Sequence, residues 1–190
     1  MKNKILVSIL FFCSIFAFGQ VKDSLAIFKN SKKWGKEIIK FPIDWAPDLK
    51  ITGFEELLFA PNWSDKKDDN FWSLVIGWNI ETKKPLPLKK IENNFKGYFD
   101  GLMKPNHWAK EFPNPEVNFI KNSDTNFSGK MKLFDGFHTG KVIDINIEGE
   151  QIFCKKHDKT IIIFRLSYKT TEHKIWKTLK EIELKEKFCN

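Results

Sequence analysis

The run Phe71-Trp72-Ser73-Leu74-Val75-Ile76-Gly77-Trp78-Asn79-Ile80 alternates with a period of two. Trp72, Leu74, Ile76, Trp78 and Ile80 are bulky and apolar, while Ser73, Val75, Gly77 and Asn79 are small or polar. Successive side chains of a strand leave on opposite faces, so the run predicts a central strand with one heavy face and one light face. The heavy face needs a cover, and residues 88–102 supply it. Leu88, Ile91, Phe95, Tyr98, Phe99 and Leu102 recur at helical spacing, with lysines, asparagines and Glu92 on the other side. Pro85 and Pro87 suit the start of that helix.

The rest of the chain is read around this pair. Residues 21–34 form a weakly amphipathic stretch, with Leu25, Ile27 and Phe28 between lysines, and predict a short helix ended by Gly35. Residues 36–41 and 54–59 are strand candidates, the second joined to the central strand through a polar loop over 62–70. Beyond the helix, strands are predicted over 117–121, 127–137, 141–148, 151–155 and 160–168. The predicted turns fall at Glu148-Gly149-Glu150 and His157-Asp158-Lys159. Ile143, Ile145 and Ile147 alternate with Asp144 and Asn146, the sign of one-sided burial. Residues 172–187 predict a final helix with Thr170 or Thr171 as cap and Ile175, Trp176, Leu179 and Ile182 as its buried stripe. The expected class is α+β: an antiparallel β-sheet of about six to seven strands packed by a mid-chain helix and a C-terminal helix.

The first residues change the picture of where this fold resides. Lys2 and Lys4 precede an apolar run over 5–16, and Ala17-Phe18-Gly19 has the spacing a signal peptidase reads. The run is shorter than the roughly 20 residues a membrane span needs. The expectation is a signal peptide over 1–19 and a single α+β domain over 20–190, exported to the periplasm or beyond, with no transmembrane segment after cleavage. Losing Lys2 and Lys4 lowers the formal charge from +8 to +6. Arg165 is the only arginine, which disfavours a specific reader of nucleic acid, since arginine's planar fork is the usual tool for phosphates and base edges. Cleavage leaves two cysteines, Cys154 and Cys189, which an oxidising compartment can join, the alternative being one buried thiol in a strand and one thiol at the chain end.

The sequence contains no Gly-x-Ser-x-Gly elbow, no His-Glu-x-x-His and no phosphate-binding glycine loop. His107, His138, His157 and His173 stand singly, so no metal site and no cofactor are expected. The loop over 62–70 holds three aspartates but lacks the order of a calcium loop and reads as a solvated hairpin tip. Asp135 and His138 pair an acid with an imidazole at a strand end, a candidate catalytic pair with Glu55 or Glu56 as a further carboxylate, although Asp135-Gly136 also makes an ordinary turn. The aromatic content, 15 % of the chain with seven tryptophans, is the stronger lead. Trp63 and Trp108 fall in loops near prolines, with His107 beside the latter, and Trp45 lies between two prolines. Loop aromatics of this kind line binding clefts or plug the ends of a sandwich. Ser73 and Gly77 leave room on the light face for a ligand.

Trp34-Gly35-Lys36-Glu37, the Phe41-Pro42 and Ala46-Pro47 steps, Gly53-Phe54-Glu55-Glu56, the Trp72 strand and Ile175-Trp176 together resemble a family of exported proteins of unknown function. The order of strands, helix, meander and final helix is similar to the PsbP/Mog1-type α+β sandwich, a likeness of architecture that implies no activity. The functional expectation is therefore a non-enzymatic binding or accessory module for a small molecule or an envelope protein, the alternative being an envelope hydrolase.

Overall fold

A computed structural model describes residues 25–29, 32–103, 113–186 and 188–189. The described residues form nine strands and two α-helices. In chain order these are β1 (Phe28–Lys29), β2 (Gly35–Phe41), β3 (Gly53–Phe59), β4 (Leu74–Glu81), α1 (Leu88–Met103), β5 (Glu116–Lys121), β6 (Asn126–Asp135), β7 (Lys141–Cys154), β8 (Lys159–Ser167), α2 (Ile175–Lys180) and β9 (Glu183–Leu184). Seven strands make one antiparallel sheet in the order β2-β3-β4-β8-β7-β6-β5, and β1 pairs with β9 in a separate two-stranded sheet. The α+β class and the strand count are those expected from the periodicity.

The period-two run does what its two faces predict. Leu74, Ile76, Trp78 and Ile80 join Ile91, Phe95, Tyr98 and Phe99 of α1 in one hydrophobic core. Met131, Leu133, Ile143, Ile145 and Ile147 extend that core along β6 and β7. The opposite face has a second core. There Val75, Leu58, Ile161 and Ile163 meet Ile27, Phe28 and the α2 residues Ile175, Trp176 and Leu179. β4 is thus covered on both sides, which is why Val75 and Ile76 are both fully buried.

Three local expectations are corrected. The helix expected over 21–34 is absent from the described residues of that stretch, where Phe28 and Lys29 form β1 and pair with Leu184 and Glu183. The final helix is one short piece, α2, without a side-chain cap. Beyond it the alternation Glu181-Ile182-Glu183-Leu184 becomes β9 instead of continuing helical. Arg165 holds this arrangement, donating to the Leu179 carbonyl from Nε (3.1 Å) and to that of Ile182 from its guanidinium (3.2 Å). The third correction is at Gly149, where a turn was expected and a single fourteen-residue strand, β7, runs straight through. Gly149 faces Phe127 across the β6–β7 ladder, and a Cβ there would lie 2.1 Å from the Phe127 ring. The glycine makes room for an aromatic ring and does not reverse the chain. Gly149→Ala is accordingly expected to cost about 1–3 kcal/mol of stability by overpacking, read as a lower urea midpoint. An unchanged midpoint would mean that Phe127 moves aside freely.

Candidate functional site

Ser167 ends β8 opposite Asn146, so residues 141–145 of β7 and their β6 partners run on past the end of β8. The tip of that hairpin closes at Asp135. Its buried carboxylate accepts the backbone N–H groups of Phe137 (3.1 Å), His138 (3.1 Å) and Thr139 (2.8 Å), and its carbonyl accepts that of Gly140 (2.8 Å). The loop between β3 and β4 is built in a similar way. Asp65 and Asp68 accept backbone N–H groups two residues on, from Lys67 (2.9 Å) and Asn70 (2.8 Å). Asp69 instead meets Lys169 at 3.3 Å and Lys174 at 2.9 Å. Trp72, which the alternation would place in the strand, lies just before β4 with φ of +49°. Its N–H donates to the Trp63 carbonyl at 2.9 Å, and this bond closes the loop and brings the two indoles together.

Between these two tips lies a cavity of about 440 Å³. Its floor is the heavy face of the sheet, with Ile39, Leu57, Leu74 and Ile76. One wall is the C-terminal half of α1, through Tyr98, Phe99 and Leu102, with Trp45 against Tyr98 at a ring separation of 5.2 Å. The other wall is aromatic. Trp63 packs on Phe59 at 4.7 Å, stands at 89° to Trp72 at 6.0 Å, and meets the His138 ring edge-on at 4.9 Å. Phe137 lies at the rim, 44 % exposed. Trp63 is only half-buried, whereas Trp72 is buried. Two nitrogens in this wall, Nε1 of Trp72 and Nε2 of His138, are buried and have no hydrogen-bond partner among the described residues. Buried polar atoms normally find partners, so this pair is unusual. Burial pushes His138 below its ordinary value. Asp135 opposes that shift and Lys66 adds to it.

The two carboxylates of β3 divide between the faces of the sheet as strand geometry requires. Glu55 points to the α1 side, fully buried, and accepts from Tyr98 Oη (3.0 Å) and Trp78 Nε1 (3.1 Å). Burial raises its pKa to about 8, those two hydrogen bonds hold it back, and the Glu37 charge adds to the rise. Tyr98 is pushed well above 10, first by its own burial and then by Glu55. Glu56 points to the other side, where it accepts the N–H groups of Ile27 (2.5 Å) and Phe28 (2.9 Å) and pairs with Lys36 at 3.1 Å.

The residues singled out from the sequence are therefore distributed unevenly. Trp63 and His138 meet in the cavity wall, with Trp45 across from them. Asp135 lies next to the cavity but spends both carboxylate oxygens on its own turn. Glu56 lies across the sheet from His138, and Glu55 is held by Tyr98 and Trp78. Ser73 and Gly77 are on the opposite face from the cavity. The Ser73 hydroxyl bonds that of Ser167 at 2.8 Å, and the space over Gly77 is filled by Ile27 and Phe28, 2.3 and 2.6 Å from where a Cβ would be. His107 and Trp108 lie outside the described residues. Cys154 and Cys189 sit at disulfide distance, with Cα atoms 5.0 Å apart. Phe59, Phe99 and Glu37 are cavity residues that the sequence reading did not single out, because each sits in an ordinary strand or helix pattern. Among the described residues no group of His, Cys, Asp and Glu side chains is placed to hold a metal ion, and no helix is long and apolar enough to cross a membrane. Comparison with protein-family models, with curated proteins and with solved structures finds no match to this chain.

Proposed function

We propose that the protein is an exported, non-enzymatic binding module of one domain over 20–190, and that the aromatic cavity between the 61–73 loop and the 135–140 turn holds a small, largely apolar ligand. The cavity carries the proposal: its volume of about 440 Å³ lies in the range of small-molecule sites, and its wall holds two buried nitrogens that have no partner among the described residues. An apolar wall with a few convergent polar groups is the usual composition of such a site. Export is supported by the apolar run over 5–16 with its small-residue boundary and by the placement of Cys154 against Cys189, which we propose are joined in the mature protein. A hydrolytic reading finds no support in Asp135, whose oxygens already accept three backbone N–H groups.

The test is a titration with neutral apolar probes such as Nile red and naphthalene derivatives, followed by tryptophan emission and by thermal shift. Saturable binding with a raised melting temperature is expected. Trp63→Ala is expected to weaken it by about tenfold or more, roughly 1.4 kcal/mol, as for an aromatic anchor in a pocket. Absence of a saturable signal across the panel, or a Trp63→Ala variant that binds as well as the parent, would overturn the reading.

A further inference from the structure

The charge around the cavity differs from the charge of the chain. Basic residues number 32 of 190, about one in six, yet none is among the fourteen described residues that line the cavity. The one formal charge in that lining is the carboxylate of Glu37, on the edge strand β2. Glu37 is exposed to solvent and makes no ion pair with any described residue, although its neighbour Lys36 is engaged with Glu56. The two titratable rings in the wall, His138 and Tyr98, are both shifted by burial against their charged forms. Lys66 lies near enough to His138 to act on it but belongs to the exposed loop and not to the lining.

The aromatic wall fits the same charge. Trp63 and Trp72 stand at 89° with centroids 6.0 Å apart, so their rings form a corner, and Phe59 lies against Trp63 at 4.7 Å. The face of an aromatic ring carries negative potential, tryptophan most strongly, and a corner of such faces in one cavity with a carboxylate attracts a poorly hydrated cation. An anionic ligand would meet repulsion from both Glu37 and the ring faces.

Building on the reading of the cavity as a ligand site, we infer that its ligand is an organic cation: a quaternary or tertiary ammonium group on a small apolar body, held against the tryptophan corner with Glu37 as counter-ion. The test uses three probes of nearly equal shape: choline, its uncharged carbon analogue 3,3-dimethylbutan-1-ol, and the anion 3,3-dimethylbutanoate. Each is titrated into the mature protein by calorimetry at low salt, alongside Glu37→Gln, a substitution at an exposed position whose folding is checked by circular dichroism. Choline is expected to bind about tenfold or more tighter than the alcohol, with the anion weakest. Glu37→Gln is expected to remove most of that preference while leaving alcohol binding unchanged. Equal binding of choline and the alcohol overturns the cation inference and leaves the apolar site standing. Preference for the anion overturns it and turns attention to Lys66. Failure of all three probes overturns it as well, and the neutral panel then decides separately whether the cavity binds anything.

Discussion

Between pH 4.5 and 8 the protein is expected to lose stability steadily, by on the order of 4 kcal/mol, through the single side chain of Glu55. The carboxyl is fully buried between Tyr98 and Trp78, and its folded pKa of about 8 stands far above the 4.5 of an exposed glutamate. A raised folded value means that the native state holds the proton more tightly than the unfolded chain does. The contribution is therefore complete below pH 4.5, falls through the interval, and is gone above pH 8. The protonated carboxyl suits its surroundings: it can accept from the indole N–H and share its own proton with the tyrosine oxygen. Glu55→Gln keeps those bonds with an uncharged group, so its stability should stay flat where that of the parent declines. Urea unfolding of both proteins at pH 5, 7 and 9 gives the answer as a difference, which cancels the other titrating groups. His138 is one of these and acts with the opposite sign, since burial lowers its value and its contribution fades as the pH falls. Parallel curves for parent and variant would show that Glu55 is ionised in the folded protein.

The reason this carboxylate sits in the core bears on what was legible in the sequence. Glu55 and Glu56 are adjacent, and on a strand adjacent residues cannot share a face. A strand over 54–59 therefore sends only one of them toward any site on the α1 face, and both are buried because β3 is covered on both sides. The central strand and α1 could be read because their signal is local and repeats over many residues. The errors at the two ends of the chain are one error. Residues 21–34 and 172–187 carry weak helical stripes, but Phe28–Lys29 and Glu183–Leu184 pair with each other across more than 150 residues of sequence, and a two-residue strand leaves no periodicity to detect. That pairing lays Ile27 and Phe28 over Gly77 and so fills the room the light face had offered. The candidate site was legible in part for a similar reason. Trp63 and His138 each stood out as loop residues, but their meeting depends on how far β6 and β7 outrun β8, a matter of register that the sequence of neither loop contains.

The same two-stranded pairing makes the cysteines matter. With Cys154 and Cys189 joined as proposed, reduction of the protein, or Cys189→Ser, is expected to destabilise it by about 3 kcal/mol, since a bond between residues 35 apart removes roughly 3–4 kcal/mol of chain entropy from the unfolded state. The loss should not be uniform over the molecule. Cys154 lies in the second core beside Ile161 and Trp176, while Cys189 follows β9, which holds β1 and, through it, Ile27 and Phe28. Freed from Cys154, the tail and β9 can open away from β1, which stays held by the Glu56 bonds to the Ile27 and Phe28 N–H groups. α2 has its own fastening in the Arg165 bonds to Leu179 and Ile182, and the Trp176 indole donates to the Lys169 carbonyl at 3.2 Å. Hydrogen exchange after reduction should therefore speed up at Lys185, whose N–H bonds the Ile27 carbonyl at 2.9 Å, well before the Phe28 amide, which Glu56 holds, and the amides of β8 respond. Thiol titration of the unfolded, unreduced protein supplies the control and should find none free. Two free thiols in protein from an oxidising compartment, or a urea midpoint indifferent to reductant, would show that the tail is held by β1–β9 pairing and the second core alone.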